Sequence, residues 1–425
     1  MKNLLKQLHW QILIAMMLGI IVGSLIKNNF VFILSSDILL SLYELFVSFG
    51  VIFIKLLKMI IIPLIFTSII VGVSSIGATK RLGNLGLKTI LYYICTSLFA
   101  ILIGLLLTNL LKPGINYSDN QTLINSESYD YEKLNTPDST MDIFIRMIPE
   151  NPISAAANGD ILSLIFFALL LAVSITMLPT ESKKTLTEFF NALFQAIMFL
   201  TQMIIKLSPI GVFGLIVKTV SISDLNLFYS VGKYMLTIAL GLSIHLLIVL
   251  PVMFFILTKI SPLKHFKAMA SAMATAFSTS SSSATLPVTM KCVKENVKAS
   301  KEVSGFVLPM GATINMDGTA LYECAGVIFI SQVLGVELTL SQQFIVVITA
   351  LLASIGAAGI PSAGLVMIFI VTQAVGFNND EVAMIIGAML AVDRPLDMLR
   401  TMVNVTSDSI GTAIIAHSEG EKLYD

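Results

Sequence analysis

The chain has 425 residues, 56% of them hydrophobic and 12% charged, with a mean hydropathy of +0.89. A soluble domain carries roughly twice that share of charge, so the composition excludes a soluble protein and points to a polytopic helical membrane protein. The net charge is zero, giving no reason to expect nucleic acid. Cys95, Cys292 and Cys324 are scattered and imply no disulfide framework, and His9, His245, His265 and His417 are too dispersed for a metal-ligand cluster.

The opening MKNLLKQLHW followed by Gln11–Ile26 lacks a small-residue cleavage site and reads as a retained first span. Apolar runs fall at 10–32, 38–76, 86–111, 153–179, 185–219, 226–258, 268–290, 303–335, 341–377 and 382–416. They are too long for barrel strands, which need about ten residues each. Several exceed the roughly 20 residues that cross a hydrocarbon core, so tilted, kinked or broken helices are expected. Pro63, Pro209, Pro309 and Pro395 are the candidate kinks.

Basic loops at Lys2–Lys6, Lys80–Arg81, Lys183–Lys184, Lys259–Lys267 and Lys291–Lys301 belong in the cytoplasm by the positive-inside rule. The mostly acidic linker Asn116–Met141 belongs outside. Two runs then cannot cross. The run 268–290 has lysines on both flanks and the serine-rich centre Ser278–Thr285. The run 341–377 lies in a stretch, 302–393, without any lysine or arginine, and its centre Gly356–Gly364 is a loop sequence. Both read as re-entrant helical hairpins, because non-helical backbone at membrane depth survives only when buried or lining a cavity. One hairpin from each face is the arrangement of inverted repeats around a midplane site. The expected architecture is all-α: eight transmembrane helices plus two re-entrant hairpins, in the cell membrane, with both termini cytoplasmic.

Between the hairpins, Gly311–Thr319 offers hard oxygen ligands from Asn315, Asp317 and Thr319, with Gly318 permitting local unwinding. Oxygen-rich, partly unwound helices coordinate sodium. The last run, Ala391–Ala416, carries Asp393, Arg394, Asp397, Arg400, Asn404 and Asp408. At about 100° per residue, positions 393, 397, 400, 404 and 408 stay within an arc of about 80°. A charge at the bilayer centre costs on the order of 3 kcal/mol, so this stripe faces protein, a water-filled cavity or ions. Asp317, Glu323, Asp393, Asp397 and Asp408 outnumber Arg394 and Arg400, and a buried excess of negative charge must be met by cations or protons. Arg400 suits bidentate capture of a carboxylate, or pairs with Asp397 or Asp393. Asp397 suits an ammonium. Together they describe glutamate or aspartate.

Ser281–Thr289, Asn315-Met-Asp-Gly-Thr319, Gly359–Gly364 and Asp397–Asn404, in this order, resemble the four signature stretches of the glutamate transporter family. These are the dicarboxylate/amino acid:cation symporters, which include archaeal sodium–aspartate symporters and mammalian excitatory amino acid transporters. The resemblance runs through the whole chain and is strongest after residue 260. It implies a homotrimer in the lipid bilayer, each protomer moving a transport domain past a fixed scaffold in an elevator mechanism. The scaffold would be 1–77 and 113–219, with the outer polar loop 113–141. The transport domain would be 78–112 and 220–425, with the inner hairpin at 261–297 and the outer at 338–378.

By the same resemblance, Asp397 would bind the substrate amino group and Arg400 its side-chain carboxylate. Ser282, Thr319, Thr401 and Asn404 would add contacts, with Ile360 and Gly364 in the hairpin closing over the substrate. Up to three sodium ions are implied. The first would be held by Gly311, Asn315, Asn404 and Asp408, the second by Thr313, Ser354, Ile355 and Ala357, the third by Tyr93, Thr96, Ser97, Asn315 and Asp317. No organic cofactor is implied. Glu323 matches the proton carrier of mammalian members, or else forms a salt bridge with Arg394.

The chain also departs from the family pattern. Archaeal members have an arginine where this chain has Ser280, and mammalian members have one where it has Met398. Here the extra arginine is Arg394, a modulator of the site, as in proton-coupled bacterial members. Those replace the carboxylate at Asp408 with an amide, so keeping Asp408 favours sodium.

The expected function is sodium-coupled uptake of L-glutamate or L-aspartate with a co-transported proton. The alternative is a proton- or sodium-coupled C4-dicarboxylate or neutral amino acid carrier of the same fold, which would not need Asp397 or Arg400 respectively. An intramembrane aspartyl protease would need two facing carboxylates with no base between them, and Arg400 interrupts the stripe. A channel fits poorly with broken hairpins and a buried negative excess.

Overall fold

The computed structural model describes residues 8–27, 36–74, 80–115, 145, 148–158, 160–222, 225–356, 363–377 and 379–424. These residues are helical nearly throughout: α1 (Leu8–Lys27), α2 (Ser36–Ser74), α3 (Lys80–Leu111), α4 (Pro152–Asn158), α5 (Ile161–Met177), α6 (Thr180–Lys206) and α7 (Ser208–Ile222). There follow α8 (Leu225–Ile244), a π-helical turn (His245–Val249), α9 (Leu250–Thr258), α10 (Pro262–Thr279), α11 (Ser282–Cys292) and a second π-turn (Val293–Val297). The chain continues with α12 (Lys301–Ile314), α13 (Asp317–Val333), α14 (Leu340–Gly356), α15 (Ala363–Ala374) and α16 (Asn379–Ser418).

Among the described residues, four stretches are long and apolar enough to cross a membrane: Leu40–Ser74, Asn84–Leu111, Thr180–Lys206 and Leu227–Thr258. Leu102, Leu106 and Leu110 on α3, and Leu236, Leu247 and Phe255 on α8–α9, are exposed. Outward leucines at this density suit lipid rather than water. The chain is a multi-pass membrane protein. At 39 residues α2 runs about 58 Å, twice the hydrocarbon thickness, so it tilts or projects beyond it.

The prolines act unequally. Pro63, Pro309 and Pro395 lie inside continuous helices. The run 185–219 divides at Leu207, two residues ahead of Pro209, which sits in the first turn of α7 where its missing N–H costs nothing. The run 303–335 divides at Asn315–Met316. That break precedes Gly318, where unwinding was expected. Gly318 serves a different purpose: a Cβ there would meet the Arg400 backbone at 2.8 Å, so it lets α13 and α16 approach.

Helices α1, α2, α5, α6 and α7 pack together, α1 on α7 and α2 on the other three. Their backbones come close because small residues line the contact. A Cβ on Gly211 would collide with the Phe53 ring, and one on Gly214 with the Phe46 carbonyl. The Phe46 and Phe213 rings meet edge to face, 5.1 Å apart. The remaining helices gather around α13, of which every residue but Gln332 is buried, and around α16. Helices α10 and α11 form one helical hairpin and α14 and α15 another. The first turns at Ser280, held at φ +50°, after which Ser281 caps α11 by accepting from Ala284 N at 3.2 Å.

Beyond α16 the chain closes over the base of the first hairpin. Glu419 pairs with Lys88 of α3, Glu421 accepts from Ser300 N at 2.7 Å, and Tyr424 N donates to Val297 O at 2.9 Å. The Tyr424 hydroxyl bonds His265 Nδ1 of α10 at 2.6 Å, whose Nε2 meets Ser409 Oγ of α16 at 2.9 Å.

The glycine contacts predict opposite outcomes at two sites. Gly214→Leu forces α2 and α7 apart, and overpacking of this kind costs about 1–3 kcal/mol. Gly232 on α8 has open space around it; Gly232→Ala gains up to about 1 kcal/mol of helix propensity. Melting curves in detergent are expected to shift down for the first variant and up, or not at all, for the second.

Candidate functional site

All five stripe positions of α16 are buried: Asp393, Asp397, Arg400, Asn404 and Asp408. Neighbouring helices meet them as two clusters joined by a bridge.

In the upper cluster the Arg400 guanidinium is 1% exposed, and its Nη2 donates to Asp393 Oδ1 at 3.0 Å and Asp397 Oδ1 at 2.8 Å. Both partners that the sequence left open are used at once. Arg400 also lies over the Tyr322 ring at 3.9 Å, and the Tyr322 hydroxyl donates to Asp393 Oδ1 at 3.1 Å. Arg394 Nη1 stands 3.5 Å from Asp397 Oδ2. Two arginines thus face two aspartates. Arg400 Nε and Nη1 are buried with no hydrogen-bond partner among the described residues. A Cβ on Gly364 would collide with Nη1, so α15 reaches the guanidinium only because residue 364 is glycine.

The bridge is Asn404. Its Oδ1 accepts from Gly318 N at 2.8 Å and its Nδ2 donates to Thr319 Oγ1 at 3.2 Å. The break before α13 frees that N–H for a side chain, since the first turn of a helix has no partner within it.

In the lower cluster Asn315 Nδ2 donates to Asp408 Oδ1 at 2.9 Å and Ser407 Oγ at 3.0 Å, while Thr96 Oγ1 lies 3.4 Å from Asn315 Oδ1. Ser97 Oγ donates to Asp317 Oδ1 and Ser407 Oγ to Asp317 Oδ2, each at 2.6 Å. His245 Nε2 is 3.1 Å from the same Oδ2. A Cβ on Gly311 would run into Asp408 and the Tyr93 hydroxyl, so these three are adjacent. The oxygens of these carboxyl groups, this amide and these hydroxyls are the donors a hard cation takes. The Tyr93 hydroxyl itself donates to Val307 O at 2.8 Å.

Other expected site residues are less tightly joined. Thr401 Oγ1 bonds Asp397 O, Thr313 Oγ1 bonds Met310 O and Ser354 Oγ bonds Leu351 O, each within its own helix. Ser282 is buried in the first turn of α11. Ile355 lines an apolar cavity of about 270 Å³ with Tyr93, Ser97 and Ile314. Ala357 and Ile360 lie outside the described residues. Glu323 is wholly buried with neither carboxyl oxygen partnered among the described residues, and Arg394 is given to Asp397 rather than to Glu323.

Asp393, Tyr322, Ser407 and His245 complete the clusters without having been chosen as site residues. Asp393 stood in the stripe, and His245 is a lone ionisable residue in an apolar run, itself a signal. Tyr322 and Ser407 carried none.

A buried cluster of carboxylates and arginines, in a body of lipid-facing helices, is a setting suited to holding a polar solute away from lipid. The sequence matches the sodium:dicarboxylate symporter family model over residues 8–418. Excitatory amino acid transporter 3 of Mus musculus is 37% identical over 468 residues, covering 98% of this chain and 86% of that protein. Its counterpart in Bos taurus is 35% identical over 469 residues, with the same coverage. The proton/sodium-glutamate symport protein of Bacillus subtilis (strain 168) is 32% identical over 424 residues, covering 99% of this chain and 94% of that one. The chain belongs to the sodium:dicarboxylate symporter family, and so to the carriers rather than the enzymes.

The upper cluster makes a prediction. Removing one partner of a buried ion pair costs about 3–5 kcal/mol, so Asp393→Asn is expected to lower the melting temperature in detergent by several degrees. An unchanged melting temperature would show that Asp397 alone holds the guanidinium.

Proposed function

We propose that this chain carries L-glutamate and L-aspartate into the cell, driven by sodium and accompanied by a proton. The observation that carries the reading is Arg400: a wholly buried guanidinium beside Asp397, with Nε and Nη1 still unbonded among the described residues. Those donors suit an incoming carboxylate, and Asp397 suits an ammonium. The names of the relatives, excitatory amino acid transporters and a proton/sodium-glutamate symport protein, support the same substrate and ions.

In this reading Ser282, Thr319, Ile360, Gly364, Asp397, Arg400, Thr401 and Asn404 contact the substrate, and Arg394 modulates it through Asp397. One sodium takes Gly311, Asn315, Asn404 and Asp408. Another takes Tyr93, Thr96, Ser97, Asn315 and Asp317, and a third Thr313, Ser354, Ile355 and Ala357. The adjacency of Asn315, Asp408 and Gly311, and the bond from Ser97 to Asp317, support the first two sets. Support for the third is weaker, since its hydroxyls are committed to their own helices. Glu323 carries the proton: an ionised carboxylate without partners is costly in such surroundings, whereas the neutral acid is tolerated.

The architecture proposed is eight spans with two re-entrant hairpins in inverted repeats. The spans are α1, α2, α3, α4–α5, α6–α7, α8–α9, α12–α13 and α16; the hairpins are α10–α11 and α14–α15. The segregation of α1, α2, α5, α6 and α7 from the rest supports a scaffold at 1–77 and 113–219 and a moving domain at 78–112 and 220–425. Both termini are cytoplasmic, the assembly is a homotrimer in the cell membrane, and the moving domain travels as an elevator.

Uptake of labelled glutamate and aspartate into proteoliposomes tests the whole. Accumulation is expected with sodium outside and not with choline; equal uptake in both media, or competition by succinate but not by aspartate, would overturn it. Arg400→Cys is expected to lose acidic substrates and gain neutral ones, and unchanged glutamate uptake would remove Arg400 from the site. An inward proton gradient is expected to accelerate the wild type but not Glu323→Gln, and an equal response from both would end the proton assignment.

A further inference from the structure

His245 belongs to no substrate or cation set above, yet it is completely buried and its Nε2 lies 3.1 Å from Asp317 Oδ2. The local sequence explains how it gets there. Pro251 follows six residues later, and a proline in a regular helix collides with the carbonyl four residues back and withholds a hydrogen bond. The helix answers by widening: Leu250 N–H reaches five residues back to the His245 carbonyl, making the π-turn His245–Val249. Such turns frequently mark functional positions in helices. This one begins at the residue whose side chain is turned onto Asp317.

The hydrogen-bond pattern fixes what the imidazole does. Nε2 faces Asp317 Oδ2, and the tautomer with the proton on Nε2 makes the imidazole a donor to that oxygen. Nδ1 is buried without a partner among the described residues. Asp317 then has three donors from three elements: Ser97 of α3 on Oδ1, and Ser407 of α16 with His245 on Oδ2. Ser97 and Ser407 hydroxyls can rotate about a single bond to suit other partners; the larger, wholly buried ring has less room to turn.

We propose that His245 is a positioning residue for cation binding, fixing the Asp317 carboxylate so that Oδ1 faces the cation site of Tyr93, Thr96, Ser97 and Asn315. It touches neither substrate nor cation, and acts only through Asp317. This rests on the sodium-coupled reading above.

The test compares three substitutions at fixed pH. The amide nitrogen of His245→Gln reaches where Nε2 lies, that of the shorter His245→Asn does not, and His245→Leu removes the donor. Binding of labelled aspartate to purified protein is titrated with sodium. Loss of a partner behind a metal ligand typically weakens metal affinity about 10–100-fold. Leu and Asn are therefore expected to need at least about tenfold more sodium for half-maximal binding, with Gln within about threefold of wild type. At saturating sodium all are expected to bind aspartate like the wild type. Wild-type sodium dependence in Leu or Asn, or Gln as impaired as Asn, overturns the proposal. If Leu fails to yield monodisperse protein, the Gln and Asn pair still decides. Sodium-independent binding by the wild type itself would instead refute the coupling reading.

Discussion

A guanidinium without counter-charge is among the costliest groups to bury in a membrane protein, and the structure is arranged around one. Arg400 is held by Asp393 and Asp397 from its own helix and by the face of Tyr322 from α13. Those contacts dictate the close approach of α13 to α16, which in turn requires glycine at 318 and, from α15, glycine at 364. Breaking the pairing exposes a bare charge to low dielectric, so the centre tolerates exchange of one partner for another far better than loss of one. In the proposed reading, an acidic amino acid brings the anion and the cation that such an exchange needs.

The same logic operates about two turns further along α16 with weaker groups. Asp317 and Asp408 have no arginine; they are met by hydroxyls, an amide and an imidazole. Neutral donors orient a carboxylate without cancelling its charge. The upper cluster thus sets its carboxylates against arginines of the same helix, whereas the lower has only neutral donors around its carboxyl groups.

Much of this was legible from the chain alone because helix periodicity is a local property. The stripe on α16 follows from spacing, and all five of its positions are buried. The helical hairpins announced themselves through flanking charge and the serine- and glycine-rich turns. Long-range pairing was not legible. His245 and Asp317 are 72 residues apart, and nothing local links them. Asp393 lay in view as a partner of Arg400, but the Tyr322 hydroxyl that donates to the same carboxylate comes from another helix, 71 residues away. The break in the run 303–335 was expected at the flexible glycine and falls at Asn315–Met316, because the packing of α13 on α16 uses that glycine for proximity.

The segment after α16 ties Val297, Ser300 and His265 to Ser409 through Tyr424 and Glu421. Residues more than a hundred positions apart are thereby joined by hydrogen bonds, the kind of linkage that makes segments open together. The amides of α10 and of the middle of α16 should share a single protection energy against solvent deuterium, so that neither element opens without the other.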